Sequence, residues 1–369
     1  MTADVASRVR RTQEALARAG LGGLLVSPGP DLRYLTGYDA QPLERLTALV
    51  VPAEGDPVLV VPVLERAEAD RSAAALAGME VVTHEETADA HALAVGFLPA
   101  AARVAVDDHM WAVRMLALQA ALPTADFLAA GRVISDLRMR KGPDEVAALR
   151  QAGAAIDRVH ERMAEFLIVG RTEREAGAQL ADAIIQEGHA SIDFVIVGSG
   201  PNGASPHHSV SDRVIGAGDT VVIDIGGSTA EGYCSDSTRT YVVGREAPPE
   251  VMEYFAVLLE AQRAQCDHAA PGVSAESVDR IGRTIINEAG FGDFFIHRTG
   301  HGIGIETHEE PYIVEGNDLI LEPGMAFSIE PGIYFAGRHG ARIEDIVVTT
   351  GDGIERLNTT ARELTVVAG

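Results

Sequence analysis

Five places in the second half of the chain carry side chains suited to acid, base or metal chemistry. They are Asp224 in Val-Val-Ile-Asp-Ile-Gly-Gly, Asp236 in Cys-Ser-Asp-Ser-Thr-Arg-Thr, His301 in Gly-His-Gly-Ile-Gly, Glu330 in Ser-Ile-Glu-Pro-Gly, and Glu344 in Ala-Arg-Ile-Glu-Asp-Ile. Asp224 and Glu330 sit inside or at the end of apolar, β-type runs, where an ionised carboxylate costs several kcal/mol unless it is paired or holds a cation. Lysine cannot supply that charge, because Lys141 is the only one and arginine makes up the other 29 of the 30 basic residues. One or two arginines do not neutralise four carboxylates. A pair of divalent cations does, set about 3.5–4 Å apart with a shared hydroxide as nucleophile. Hard oxygen donors suit Mn or Mg, and the single imidazole tilts the choice to a transition ion, Mn2+ first, with Co2+ or Zn2+ as alternatives. Any one of these acids alone reads as a strand-end turn residue or a salt-bridge partner. Five together would need a separate partner for every buried charge, which favours the metal reading.

The elements that must position them follow from periodicity. Strands are expected at Phe194–Val197, Thr220–Ile225, Thr238–Val243, Met325–Ile329 and Arg342–Thr349, with helices at Pro249–His268 and Ser274–Ala289. A helix opened by Gly142-Pro143-Asp144-Glu145 runs to about Leu167, and the next starts at Thr172, with Glu175 completing a capping box. The order of helices, strands, helices, strands describes an α+β domain with a hint of internal repetition. The glycines flanking His301 allow close backbone approach, and Pro331-Gly332 turns the chain just after Glu330.

The first part of the chain reads as a smaller α/β domain. It has a helix over Val5–Ala19, strands at Leu24–Val26, Thr47–Val51 and Val58–Val61, helical sequence from Leu64 to Ala77, and strands near Val81 and Val104. The charged stretch Ser135–Lys141 marks the boundary, giving domains 1–135 and 136–369, with Lys141 in the linker. A net charge of −24 without a concentrated basic patch argues against nucleic acid and anionic membranes. No P-loop or Schiff-base lysine is available. Two cysteines and no signal-like or membrane-length apolar run place the protein in the cytoplasm. Gly198-Ser-Gly-Pro-Asn-Gly203 formally matches a dinucleotide fingerprint, but Pro201 and Pro206 deny it the helix that such a loop must open.

Seven ordered strings resemble the pita-bread metallopeptidases: prolidase, aminopeptidase P and methionine aminopeptidase. They are Pro206-His-His-Ser, Val222-Ile-Asp-Ile-Gly, Tyr233-Cys-Ser-Asp-Ser-Thr-Arg-Thr, Thr299-Gly-His-Gly-Ile-Gly, Thr307-His-Glu-Glu-Pro, Phe327-Ser-Ile-Glu-Pro-Gly-Ile-Tyr and Arg342-Ile-Glu-Asp. The match runs over roughly 140–369, and the first half resembles the N-terminal domain shared with creatinase. The resemblance implies a pita-bread catalytic domain behind a creatinase-like α/β domain. It implies Asp224, Asp236, His301, Glu330 and Glu344 as metal ligands, with Asp236 and Glu344 bridging. Glu330 would also handle the proton, His207 and His308 would contact substrate, and His297, Arg342 and Tyr334 would line the proline side of the pocket. His208 and His339 read as solvent-facing loop histidines. The implied activity is hydrolysis of Xaa-Pro bonds by a homodimeric Xaa-Pro dipeptidase, with aminopeptidase P acting on longer peptides as the alternative. More distant are a creatinase-like amidinohydrolase and a non-catalytic peptide-binding module, both expected to lack several ligands. One departure stands out: Asp224 and Asp236 are twelve apart, one more than the resemblance suggests, and a slip of register there would turn one carboxylate away.

Overall fold

The structure is a computed structural model that describes residues 2–98 and 103–368. The chain forms two compact units, the first ending at Arg138 and the second beginning at Met139. The expected junction at 135/136 falls within the Arg132–Met139 helix. That helix stays with the first unit because Arg138 is buried there against Asp31 at 2.8 Å, whereas Arg140 pairs with Glu322 of the second at 2.6 Å.

In the first unit a six-stranded mixed sheet runs in the order Glu80–His84, Val58–Pro62, Ala48–Pro52, Gly23–Val26, Arg103–Val106, Asp126–Ala129. Three of the four inner strands, Val58–Pro62, Ala48–Pro52 and Gly23–Val26, are buried throughout, as expected of continuous Val/Leu runs covered on both faces. Helical sequence over 64–77 does not make one helix. It breaks into a 3₁₀ turn, Val63–Glu65, and short helices Arg66–Ala69 and Ala73–Leu76. Ser72 causes the second start, its Oγ accepting from the Ala75 amide at 3.2 Å as an N-cap.

The second unit builds a helix pair and a sheet twice over. Helices Pro143–Glu161 and Glu173–Gln186 bury Ile156, Val159, Leu180 and Ile184 against Val221, Ile223 and Ile225 of a four-stranded sheet. That sheet is ordered Thr365–Val367, Ser237–Val243, Thr220–Ser228, Ser191–Ser199. Helices Pro249–His268 and Ala275–Glu288 likewise bury Cys266, Ala275 and Val278 with Phe327, Ile329 and Val347 of a five-stranded sheet. Its order is Glu309–Ile313, Gly300–Gly302, Ala326–Ile329, Asp345–Thr349, Ile354–Arg356. The capping box forms as the sequence predicts, the Thr172 hydroxyl accepting from the Glu175 amide while the Glu175 carboxylate accepts from the Thr172 amide.

Two details of this frame decide where the acids go. The Thr220–Ser228 and Ser237–Val243 strands keep one register from Thr220↔Val242 to Ile225↔Ser237, and the bridge Ser228↔Cys234 continues it. The extra residue is therefore absorbed in the turn, where the Thr229 amide bonds the Tyr233 carbonyl at 3.0 Å and Gly232 takes φ 88°. Asp236 lies opposite Gly226, two residues along from Asp224, so both carboxylates share one face. The expected strand Arg342–Thr349 is in fact two. A hairpin strand ends at Arg342 and a sheet strand begins at Asp345. Between them the Glu344 amide bonds the Thr238 carbonyl of the other sheet at 3.1 Å, so Glu344 stands where the two sheets meet.

The decoy glycine string makes a 3₁₀ turn, Gly200–Ala204, rather than a helix N-terminus. Lys141 is no linker residue: its side chain is 1% exposed and pairs with Glu309.

Candidate metal centre

Each ligand candidate is delivered by a different feature of the frame. Asp224 lies on the Thr220–Ser228 strand, Asp236 just before its partner, His301 in the three-residue strand Gly300–Gly302, Glu330 just past Ala326–Ile329, and Glu344 in the crossover. Close backbone approach explains the glycines around His301. A Cβ on Gly300 would stand 1.9 Å from the Ser328 carbonyl oxygen, and one on Gly302 would stand 2.2 Å from that of Glu310. The Glu330 amide bonds the Thr299 carbonyl at 2.8 Å, holding the Pro331 turn against the histidine strand.

These five side chains converge. Single ligand atoms of Asp224, Asp236 and Glu344 lie within 4.8 Å of one another, as do those of His301, Glu330 and Glu344, and those of Asp236, His301 and His308. His301 Nε2 stands 3.2 Å from Glu330 Oε1 and 3.6 Å from Asp236 Oδ2. Its Nδ1 is 3.1 Å from the Gly302 carbonyl, which can only accept, so the ring proton belongs on Nδ1. The Nε2 lone pair then faces two carboxylates, which is tolerable only with a cation or a proton between them.

The charges tell the same story. Burial first, then the neighbouring carboxylates, pushes the Asp236 and Glu344 carboxyls well above the usual range and raises Asp224 as well. Burial also opposes ionisation of Glu330, yet with a proton rather than a cation at His301 Nε2 the hydrogen bond and positive charge of His301, then His297 and Arg342, bring it down to about 2. Glu330 is therefore already compensated, Asp224 is partly so by Arg342, and Asp236 and Glu344 are crowded. Asp224 Oδ1 and Glu344 Oε1 are buried acceptors with no partner among the described residues. Buried acceptors are ordinarily satisfied, and these two, in an oxygen-rich set with one imidazole, fit divalent transition ions.

The remaining candidates surround this cluster. The ring centroids of His308 and His301 are 3.8 Å apart. Burial, then His301 and Arg298, lowers His308 to about 4, so the imidazole is neutral. His207 and His297 line the same cleft, which encloses about 1290 Å³. Arg342 is buried and pairs with Asp224, and its Nε donates to Thr238 Oγ1 at 3.0 Å. Tyr334 lies behind the cleft wall rather than on it, bonded to Arg342 Nη1 and to His297 Nε2 at 2.9 Å each.

Two histidines read as solvent-facing are not. His208 Nε2 bonds Glu173 at 2.8 Å, and the His339 ring stacks on Tyr254 at 5.4 Å and bonds Glu250. Each has a partner remote in sequence, which no local pattern discloses. Sequence reasoning also passed over Thr238, whose Oγ1 donates to Glu344 Oε2 at 2.7 Å, and Ser328, which joins the His301 amide to Glu330 Oε1 at 3.0 Å each. Both lie inside strings already singled out, each two residues from a ligand candidate, and that alternation was the available signal.

Known proteins resemble the chain over nearly its whole length. Residues 147–351 match metallopeptidase family M24, and residues 8–140 match the Creatinase/Prolidase N-terminal domain. A probable dipeptidase PepE of Mycobacterium tuberculosis is 53% identical over 98% of this chain and 96% of its own length. An Xaa-Pro dipeptidase of Lactobacillus delbrueckii is 36% identical over 97% and 98%. The crystal structure of a prolidase from Thermococcus sibiricus superposes with a TM-score of 0.91 at 38% identity, covering 99% of both chains. The two-domain architecture and the converging carboxylates and histidines thus have one explanation: the chain belongs to metallopeptidase family M24, with a creatinase-like domain ahead of a pita-bread catalytic domain.

Proposed function

We propose that this protein is an Xaa-Pro dipeptidase, a prolidase, that hydrolyses the tertiary amide bond of Xaa-Pro dipeptides with two divalent ions held by Asp224, Asp236, His301, Glu330 and Glu344. The observation that carries this reading is the pair of orphaned buried acceptors, Asp224 Oδ1 and Glu344 Oε1, inside a set of four carboxylates and one imidazole. Relatives of matching length named Xaa-Pro dipeptidase and prolidase support the substrate class. Manganese is the proposed metal, and the two buried free thiols suit a cytoplasmic protein. A homodimer and a domain division within the stretch Ser135–Lys141 complete the reading.

When bound, the metal pair would supply an acidified water and Lewis acidity at the scissile carbonyl. The chain's own residues do the rest. Glu330, ionised at neutral pH, accepts the proton of the attacking water on its carboxylate and delivers it to the proline nitrogen as the C–N bond breaks. His308, neutral, donates a hydrogen bond to the oxygen on which negative charge develops. A tertiary amide nitrogen has no N–H, so the proline side is recognised by shape and by donors to its carboxylate, for which His207, His297 and Arg342 stand on the cleft wall. Tyr334 fixes His297 and Arg342 from behind.

The test strips the metals, restores manganese and assays Xaa-Pro beside Xaa-Pro-Yaa with the same first two residues. Metal-dependent proline release from the dipeptide is expected. Faster turnover of the tripeptide would reassign the protein to aminopeptidase P, and no turnover of either would reject the reading.

A further inference from the structure

Glu173 is the most heavily engaged buried carboxylate away from the cluster. It opens the Glu173–Gln186 helix and is fully inaccessible to solvent. A carboxylate offers only acceptors, and here every one is used. Its Oε1 accepts from the Ser199 amide at 2.8 Å, the Ser199 hydroxyl at 2.6 Å and Asn202 Nδ2 at 3.0 Å. Its Oε2 accepts from Asn202 Nδ2 at 3.0 Å, His208 Nε2 at 2.8 Å, the Ser211 amide at 3.2 Å and the Ser211 hydroxyl at 2.6 Å. All these donors belong to one segment, Ser199 to Ser211, which starts on the last residue of the Ser191–Ser199 strand and beyond it has no regular structure except the turn Gly200–Ala204.

That segment reaches the cleft at its middle. Pro206 and His207 are on the wall, and the Pro206 carbonyl accepts from Arg342 Nη1 at 3.3 Å. The His207 side chain is exposed in the cleft, so its place is set by the backbone that carries it. Backbone contact leaves the segment no freedom on its other side, since a Cβ on Gly340 would stand 2.4 Å from the Gly203 carbonyl oxygen.

We infer that Glu173 is a positioning residue for substrate binding, clamping the Ser199–Ser211 strap so that His207 and the carbonyl that orients Arg342 are preset for the proline end of the substrate. The inference rests on the Xaa-Pro reading above. It places the clamp on substrate affinity, and none of the metal-ligand candidates lies on the strap.

Glu173→Gln keeps the shape but turns an amide N–H2 toward donors. In the full-length, manganese-loaded protein it should raise KM for an Xaa-Pro dipeptide about tenfold while kcat stays within about twofold, a loss of ground-state binding. Manganese stoichiometry, read by calorimetry, should be unchanged. His208→Ala, which removes one clamp bond at a half-buried position, should raise KM about threefold and serves where Glu173→Gln does not fold. In a His207→Ala background the Glu173 substitution should add less than about threefold, because both act through one contact. A purely structural glutamate would lower the melting temperature and leave KM alone, and that result, or additive effects with His207→Ala, overturns the inference. Wild-type protein that turns over no Xaa-Pro dipeptide overturns the functional reading itself, whereas an active wild type with an unchanged variant KM overturns only the clamp.

Discussion

Glu344 carries two oxygens with different duties: Oε2 accepts from Thr238, and Oε1 faces the cluster without a partner. Thr238 also receives Arg342 Nε, so one hydroxyl aligns a ligand and the cation that compensates its neighbour. Replacing Thr238 with Val should weaken manganese binding by about 10–100-fold, the usual cost of losing a group that orients a ligand, without unfolding the protein; equal affinity in a calorimetric titration would contradict this. Lys141 carries a different load. Its side chain is 1% exposed and Glu309, its partner, 6%, so this is a buried pair rather than a solvent-screened one. Lys141→Met should cost about 3–5 kcal/mol in urea unfolding by stranding the Glu309 carboxylate, and Lys141→Met with Glu309→Leu should recover most of it. The five ligand candidates stood out in the sequence because Asp224 and Glu330 lie in or at the end of apolar runs and His301 lies between glycines, with Asp236 and Glu344 completing the cluster. Lys141 and His208 could not, since their partners lie 168 and 35 residues away.

Between the Pro143–Glu161 helix and the Ser237–Val243 strand sits His160, held by the Tyr241 hydroxyl at 2.9 Å and the Ser237 carbonyl at 3.2 Å. Burial, followed by the charge of Arg239, lowers its pKa to about 3. Below about pH 6.5 the unfolded chain therefore takes up a proton that the folded chain refuses, and stability falls until the pH reaches about 3. His160→Gln should remove that dependence, flattening stability against pH by up to about 1.4 kcal/mol per unit across this window. Urea unfolding at several pH values measures it, and an unchanged slope would refute the assignment. The main helices and long strands were legible from periodicity. The strand Gly300–Gly302 was not, because a glycine-rich triplet looks like a turn until a neighbouring backbone shows why no Cβ fits, and the short strand Gly332–Phe335 was hidden behind the Pro331-Gly332 turn signal. The same holds for the crossover at Glu344, whose apolar flanks Ile343 and Ile346 mimic an unbroken strand.

Over the whole molecule, a −24 net charge is concentrated further at one point where four carboxylates meet. Only the folded second unit, with its two sheets joined at Glu344, assembles that point, so ligand charge and fold are linked. Any ion that binds the assembled site and not the unfolded chain must raise the melting temperature. The sequence suggested a boundary near 135/136, while the structure divides after Arg138, where ion pairs to opposite units outrank composition. The measurement that bears most directly on the account is a calorimetric titration of manganese into the stripped, full-length protein and into Glu344→Ala. Two ions per chain in the first and at most one, weakly held, in the second is the expected result. No binding by the wild type, or identical isotherms for both proteins, would contradict it.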